Sequence, residues 1–174
     1  MKKQLYTLVL ICSMAIGVLS SCKKTSASYY AYQTECINVE LDGSQTLKAY
    51  GMGRNRIDAA TQAKKNAIHD VIFKGISSGS RECQLRPLLL EVNAEEKYRS
   101  YFNPFFLDRG PLRNVGHYSQ FVSLKDEHFI ERLSPVHFRR ATARNSDQAI
   151  FSVIVRVHRE ELRQQLISDG ILKQ

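Results

Sequence analysis

The chain has 174 residues, with 25 Lys and Arg against 17 Asp and Glu, four cysteines and no tryptophan. At 43% hydrophobic and 24% charged residues, with no low-complexity tract, it is neither a disordered nor a fibrous sequence. Its length suits one domain, or a tether plus one domain, with enough chain to bury a core.

The first element is a processing signal. Met1-Lys2-Lys3 is a short basic start, Leu5 to Leu19 is almost wholly apolar, and Leu19-Ser20-Ser21-Cys22 follows. A basic start, an apolar run of roughly 7–15 residues and a small-residue exit define a secretory signal peptide. The run is short of the roughly 20 apolar residues that a membrane span needs. Leu19-Ser20-Ser21-Cys22 resembles the lipobox of bacterial lipoproteins: an aliphatic residue, two small ones, then cysteine. That resemblance implies cleavage before Cys22, so that 1–21 is a signal peptide, and lipidation of Cys22 itself. Lipoproteins of this class carry three acyl chains, each buried methylene contributing about 0.8 kcal/mol, so release from the membrane is expected to be negligible. Lys23-Lys24 follow, with neither the aspartate associated with inner-membrane retention nor an acidic cluster associated with surface display. The expected place is therefore the periplasmic face of the outer membrane, where two lysines also favour acidic headgroups.

Residues 22–33 read as the lipidated cysteine and a tether, and 34–174 as a single domain. The eleven residues from Lys23 to Gln33, at roughly 3.3–3.6 Å each, reach about 35 Å, which keeps the domain near its membrane. Lys2 and Lys3 are the only charges before Cys22, so the processed chain keeps 23 basic against 17 acidic residues, a formal +6. Cys12 leaves with the signal and Cys22 is modified, which leaves Cys36 and Cys83. In an oxidising compartment two remaining cysteines suggest a disulfide. A bridge requires the chain after Gly79 to run back along the sheet until the Cα atoms lie within roughly 7 Å, and two separately buried thiols are the other arrangement.

Within the domain, Ile37 to Leu41 and Thr46 to Tyr50 read as strands around the turn Asp42-Gly43-Ser44. The second strand runs into Gly51-Met52-Gly53 and then a long helix. Ile57, Ala60, Ala63, Ala67, Ile68, Val71 and Ile72 form its apolar stripe, Asn55 caps it, and Asp58 stands three residues later. The helix stops near Gly75. Leu85 to Val92 reads as a strand interrupted or placed at an edge by Pro87. Asn93 opens a second helix with Tyr98, Tyr101 and Phe102 on it, which Pro104 ends or bends. His117 to Leu124 alternates as a strand, and Lys125 to Pro135 is a polar connection or short helix. His137 to Thr142 and Ala149 to His158 read as a last antiparallel pair. Phe151, Val153, Val155 and Val157 share one face of the final strand. A closing helix, Glu160 to Ser168, carries Leu162 and Leu166 and stops at Gly170. The fold expected is α+β: a mainly antiparallel sheet packed against one long helix, with a second helix and a short C-terminal helix.

The strand before Gly51-Met52-Gly53, the alanines at 59, 63 and 67, the Val153-x-Val155-x-Val157 strand and the Leu162-x-x-x-Leu166-x-x-x-Gly170 helix together resemble a small exported α+β domain. Such domains occur in bacterial envelope lipoproteins and at the amino terminus of the flagellar assembly protein T family. The likeness covers mainly residues 36–76 and 149–172. It implies a fold, and brings no catalytic residues with it.

Each chemical pattern has a competing explanation in packing. Gly51-x-Gly53 with Arg54 and Arg56 could hold an anion at the helix N-terminus, but a dinucleotide fingerprint needs glycine at position 56. Gly75-Ile76-Ser77-Ser78-Gly79 spells G-x-S-x-G, yet it follows a helix where a nucleophile elbow follows a strand. His69, His117, His128, His137 and His158 show no compact metal spacing. Arg132, Arg139 and Arg140, with His137 and Arg144, form a basic cluster suited to acidic headgroups, glycan-linked phosphate or an acidic protein face. Tyr101, Phe105 and Phe106, beside Tyr98 and Phe102, form an aromatic concentration around Pro104, flanked by Arg109 and Arg113. Any part that is exposed would make a contact patch.

No catalytic residue, cofactor or metal is expected. The sequence favours a membrane-tethered, non-catalytic accessory or binding module whose partner is an envelope protein or a cell-wall component. The export signal argues against nucleic acid. The alternative is a small envelope hydrolase or metal-dependent enzyme using clustered histidines and Ser77, for which a pocket joining those groups to an acid is the distinguishing feature.

Overall fold

The computed structural model describes residues 33–83, 86–108, 117–125, 131–132 and 149–173. The expected signal segment, Cys22, nearly all of the expected tether, Arg109, Arg113, His128, His137, Arg139, Arg140 and Arg144 lie outside the described residues.

The architecture is α+β. Six described strands form one sheet: β1 (Glu35–Val39), β2 (Gln45–Gly53), β3 (Ser78–Gly79), β4 (Val122–Leu124), β5 (Glu131–Arg132) and β6 (Ala149–Val157). Their order is β3-β1-β2-β6-β4, with β5 also pairing β6. Among the described strands only the β1–β3 pairing is parallel. The long helix α1 (Arg56–His69) continues into a π-helical turn at Asp70–Lys74. Two short helices follow, α2 (Ala94–Lys97) and α3 (Arg99–Phe106), and α4 (Arg159–Ser168) closes the chain.

The axis of the sheet is the β2–β6 pair, nine residues on each strand in antiparallel register from Gln45↔Val157 to Gly53↔Ala149. Period-two alternation turns Leu47 and Ala49 of β2, and Val153, Val155 and Val157 of β6, to one side, and all five are fully buried. Against them α1 sets Ala63, Ala67 and Ile68, with Val71 and Ile72 from the π-helical turn. Leu162 and Leu166 of α4 join the same core.

Local signals account for the ends of α1. Asn55 sits in extended backbone and its side chain accepts from the Asp58 amide at 2.9 Å, satisfying one orphan donor of the first turn. Gly75 adopts a positive φ of 74° where the π-helical turn stops. One position of the expected stripe is wrong: Ile57 is exposed, and Ala59 takes the buried place. In β2 the two glycines let the strand approach the start of α1 so closely that a Cβ on either would meet the Ala59 backbone.

Other elements depart from the pattern in the sequence. No strand forms from the described part of Leu85 to Val92. Instead the Leu88 and Leu89 amides donate to the carbonyls of Val71 and Ile72, at 3.0 and 2.9 Å. Those carbonyls are the acceptors a helix end leaves free, so the segment is spent on terminating a helix. Asn93 does not cap α2 with its side chain; it takes a left-handed conformation at φ 58°. Pro104 lies inside α3, which runs on to Phe106. His117–Phe121 is a 3-10 turn, leaving only Val122–Leu124 as strand. Within the expected connection after Lys125, Glu131–Arg132 is a strand on β6. The expected partner of β6, His137 to Thr142, lies outside the described residues, and β6 itself is an inner strand between β2 and β4.

Cys36 and Cys83 form a disulfide with Cα atoms 5.7 Å apart. The return path that such a bridge demands is supplied by β3, which pairs parallel to β1 through Glu35↔Ser78 and Cys36↔Gly79 and feeds a 3-10 turn at Arg81–Cys83. Both cysteines are buried.

Candidate functional site

The glycine pair after β2 is occupied by packing. A Cβ on Gly51 would lie 1.9 Å from the Ala59 carbonyl oxygen and 2.6 Å from the Ala63 nitrogen, and one on Gly53 would lie 2.4 Å from the Ala59 nitrogen. The space a phosphate would need is filled by the backbone of α1. Ser77 is exposed and stands where a helical segment runs into β3, the reverse of the strand-to-helix order a nucleophile elbow requires.

Three histidines fall among the described residues, and they are apart in role. His117 is exposed. His158 contacts the buried Ser44 of the turn before β2, with Oγ and Nδ1 3.3 Å apart. Glu161 approaches that same nitrogen at 3.9 Å. A serine–histidine–acid relay needs the hydroxyl and the acid on opposite ring nitrogens, so this group does not have the geometry of a triad. Among the described residues no group of three or more His, Cys, Asp and Glu side chains is arranged to hold a metal.

His69 occupies a different setting. Between α1 with its π-helical turn on one side and α2 and α3 on the other lies an open cleft of about 990 Å³. Phe73, Phe102 and Phe106 contribute its aromatic wall, while Gln62, Asn66 and Asn103 supply carboxamides. His69 lies in this wall, its ring 5.0 Å from that of Phe73 and 6.1 Å from that of Phe106. Its Nε2 is 3.2 Å from Glu95 Oε2 on α2. Its Nδ1 is 3.8 Å from Asp70 Oδ1, beyond hydrogen-bonding reach, so that contact is a charge attraction. Asp70 is itself buried and accepts a 2.5 Å hydrogen bond from Thr34 Oγ1, just before β1. Burial opposes a charge on His69, but the two carboxylates outweigh it, and its pKa stands above the ordinary imidazole value.

The remaining charges of the cleft are paired. Lys65 meets Asp108, Lys74 meets Asp70 at 3.6 Å, Arg99 meets Glu96 at 2.8 Å, and Glu91 meets Lys97. A cleft with its charges already matched selects by shape, apolar contact and hydrogen bonding more than by net charge.

Of the aromatic patch expected around Pro104, Phe105 is a correction. It is 4% exposed and stacks on Phe121 at 6.2 Å, so it is core. Tyr101 is partly buried, and its hydroxyl donates to Asp169 Oδ2 at 2.5 Å, which ties α3 to the end of α4. Burial, reinforced by the Asp169 carboxylate, raises its pKa far above the usual phenol range. Phe106 alone of the three lines the cleft. Of the basic cluster, Arg132 is in β5, while Arg139 and Arg140 lie outside the described residues.

No family model, curated protein or solved structure matches this chain.

His69 and Asp70 were not assigned to a site from sequence because their partners are remote: Glu95 is 26 positions from His69, and Thr34 is 36 from Asp70. One signal was present. Asp70 is an acid set within the apolar stripe Ile68, Val71 and Ile72, where a buried carboxylate needs a reason.

Proposed function

We propose that the chain is a lipoprotein anchored through Cys22 at the periplasmic face of the outer membrane, and that its domain is a non-catalytic binding module using the cleft between α1 and α2–α3. The cleft carries the reading: it combines an aromatic wall, carboxamides and self-matched charges, the makeup of a recognition surface. The buried Cys36–Cys83 disulfide is consistent with an exported domain, since disulfides persist in oxidising compartments. The short tether holds the cleft within reach of envelope material, and its partner on this reading is an envelope protein or a cell-wall component. The domain's likeness to envelope lipoproteins and to the amino-terminal domain of the flagellar assembly protein T family favours an accessory role beside a larger assembly.

Photocrosslinking in intact cells tests this. A photoreactive residue at Asn103, exposed in the cleft, is expected to give a discrete adduct, while one at Gln164, exposed on α4 outside it, gives none. Equal labelling from the two positions, or none from Asn103, contradicts the assignment.

A further inference from the structure

An ion pair from His69 crosses from α1 to α2 at the cleft, while Phe102 of α3 is buried against Phe73 at 4.8 Å. His69 belongs to α1, Glu95 to α2, and Asp70 to the π-helical turn that continues α1. The ring thus lies between two carboxylates from two different elements, with Nε2 toward Glu95 at 3.2 Å and Nδ1 toward Asp70 at 3.8 Å. Carboxylates can only accept, and only Nε2 is within hydrogen-bonding reach of one; Nδ1 is buried, has no hydrogen-bond partner among the described residues, and faces Asp70 as a charge. A neutral ring loses its charge attraction to both acids and keeps at most the Nε2–H bond to Glu95. Asp70 cannot turn away easily, because it is buried and held by Thr34. Glu95 can: its side chain is 65% exposed. The contact to α2 is therefore the one that weakens when the ring loses its charge.

We infer that His69 is a pH-sensitive latch that holds α2 against α1 when protonated and loosens it when neutral, so setting how widely the cleft opens. This rests on the reading of the cleft as the binding surface. The groups that surround the ring are consistent with a switch centred on it. From its own element and the π-helical turn come Asp70 and, behind it, Lys74 at 3.6 Å from Asp70. From α2 comes Glu95, and from α3 comes the uncharged ring of Phe106. The other cations of the cleft, Lys65 and Arg99, are matched by Asp108 and Glu96. The two carboxylates raise the ring's pKa above its usual 6.5, against the opposing effect of burial. A pKa that is raised on folding stabilises the latched form fully below the unfolded value, and that stabilisation is lost as pH rises through the folded value. A π-helical turn beside the ring is in keeping with a site under functional constraint.

Amide hydrogen exchange on the full chain, in detergent and without ligand, reads the latch directly. Protection factors for residues 94–98, corrected for intrinsic rate and referred to β2, are expected to fall about two- to fivefold between pH 5.5 and pH 8.5, the scale of a half-exposed ion pair. His69→Gln is expected to abolish that step. Glu95→Gln alters an exposed side chain and leaves the core untouched; it should shrink the step and lower the pKa of His69 measured by imidazole NMR. A flat profile in the wild type, or the same step in His69→Gln or Glu95→Gln, overturns the latch. Because these readouts involve no partner, they leave the binding reading to stand or fall on the crosslinking at Asn103.

Discussion

Replacing both Cys36 and Cys83 with alanine is expected to lower the stability of the domain by about 4 kcal/mol, the loop-entropy value for a bridge spanning 47 positions. For a domain of this size that loss shifts the melting midpoint by on the order of 10 °C. The effect is large because of what the bridge joins. β3 is two residues long and holds the sheet edge through two register pairs with β1. Besides the disulfide and these pairs, the segment after Gly75 is held by the buried Ile76 and by the Ser80 amide, which donates to the Cys36 carbonyl at 2.9 Å. Gly79, at φ 101°, already lies so near Cys36 that a Cβ there would fall 2.1 Å from the Cys36 carbonyl oxygen. Thermal melts with and without a reductant measure the difference. An unchanged midpoint after verified reduction would show that the bridge contributes nothing to holding this edge.

A single methyl group at Gly51 is expected to be nearly as damaging. The added Cβ would meet the Ala59 oxygen at 1.9 Å and the Ala63 nitrogen at 2.6 Å, and both are backbone atoms of α1. No rotamer change relieves such a contact, so the helix must lift from the sheet over the fully buried Ala63 and Leu47. Overpacking a well-filled core costs about 1–3 kcal/mol, and sometimes more, and Gly51→Ala belongs at or beyond the upper end because the obstruction is backbone. Urea unfolding of the variant measures it. A loss below about 1 kcal/mol, the usual scale of a tolerated core change, would mean that α1 and β2 are looser than the close approach implies.

These two positions show how differently parts of the structure could be read beforehand. The cap at Asn55, the stripe from Ala60 to Ile72 and the closing Leu162–Leu166 helix were legible, because each depends on residues within one turn or a few. The α+β class followed from the same periodicities. Ile57 and Ala59 were not separable by period alone. Which one is buried is decided by how closely β2 approaches, and that information sits in Gly51 and Gly53. Leu85 to Val92 carries β-type residues, but its amides at Leu88 and Leu89 serve the end of a helix, a pairing that no local window contains. β6 was legible as a strand and not as an inner one, since its partner β2 lies about a hundred residues earlier. The candidate site was the least legible part. Tyr101, Phe105 and Phe106 were recognised as a group, yet which of them faces the core depends on Phe121 and Asp169. The ring of His69 acquires its meaning only from Glu95 and Asp70.

Metabolic labelling with a palmitate analogue, followed by fractionation of cells carrying wild-type chain or Cys22→Ser, tests the anchoring on which the functional account depends. The account predicts acyl label on the wild-type chain in the outer-membrane fraction, with no label on Cys22→Ser and failure of that variant to mature. An unlabelled wild-type chain, with a Cys22→Ser variant that matures and fractionates identically, would contradict it.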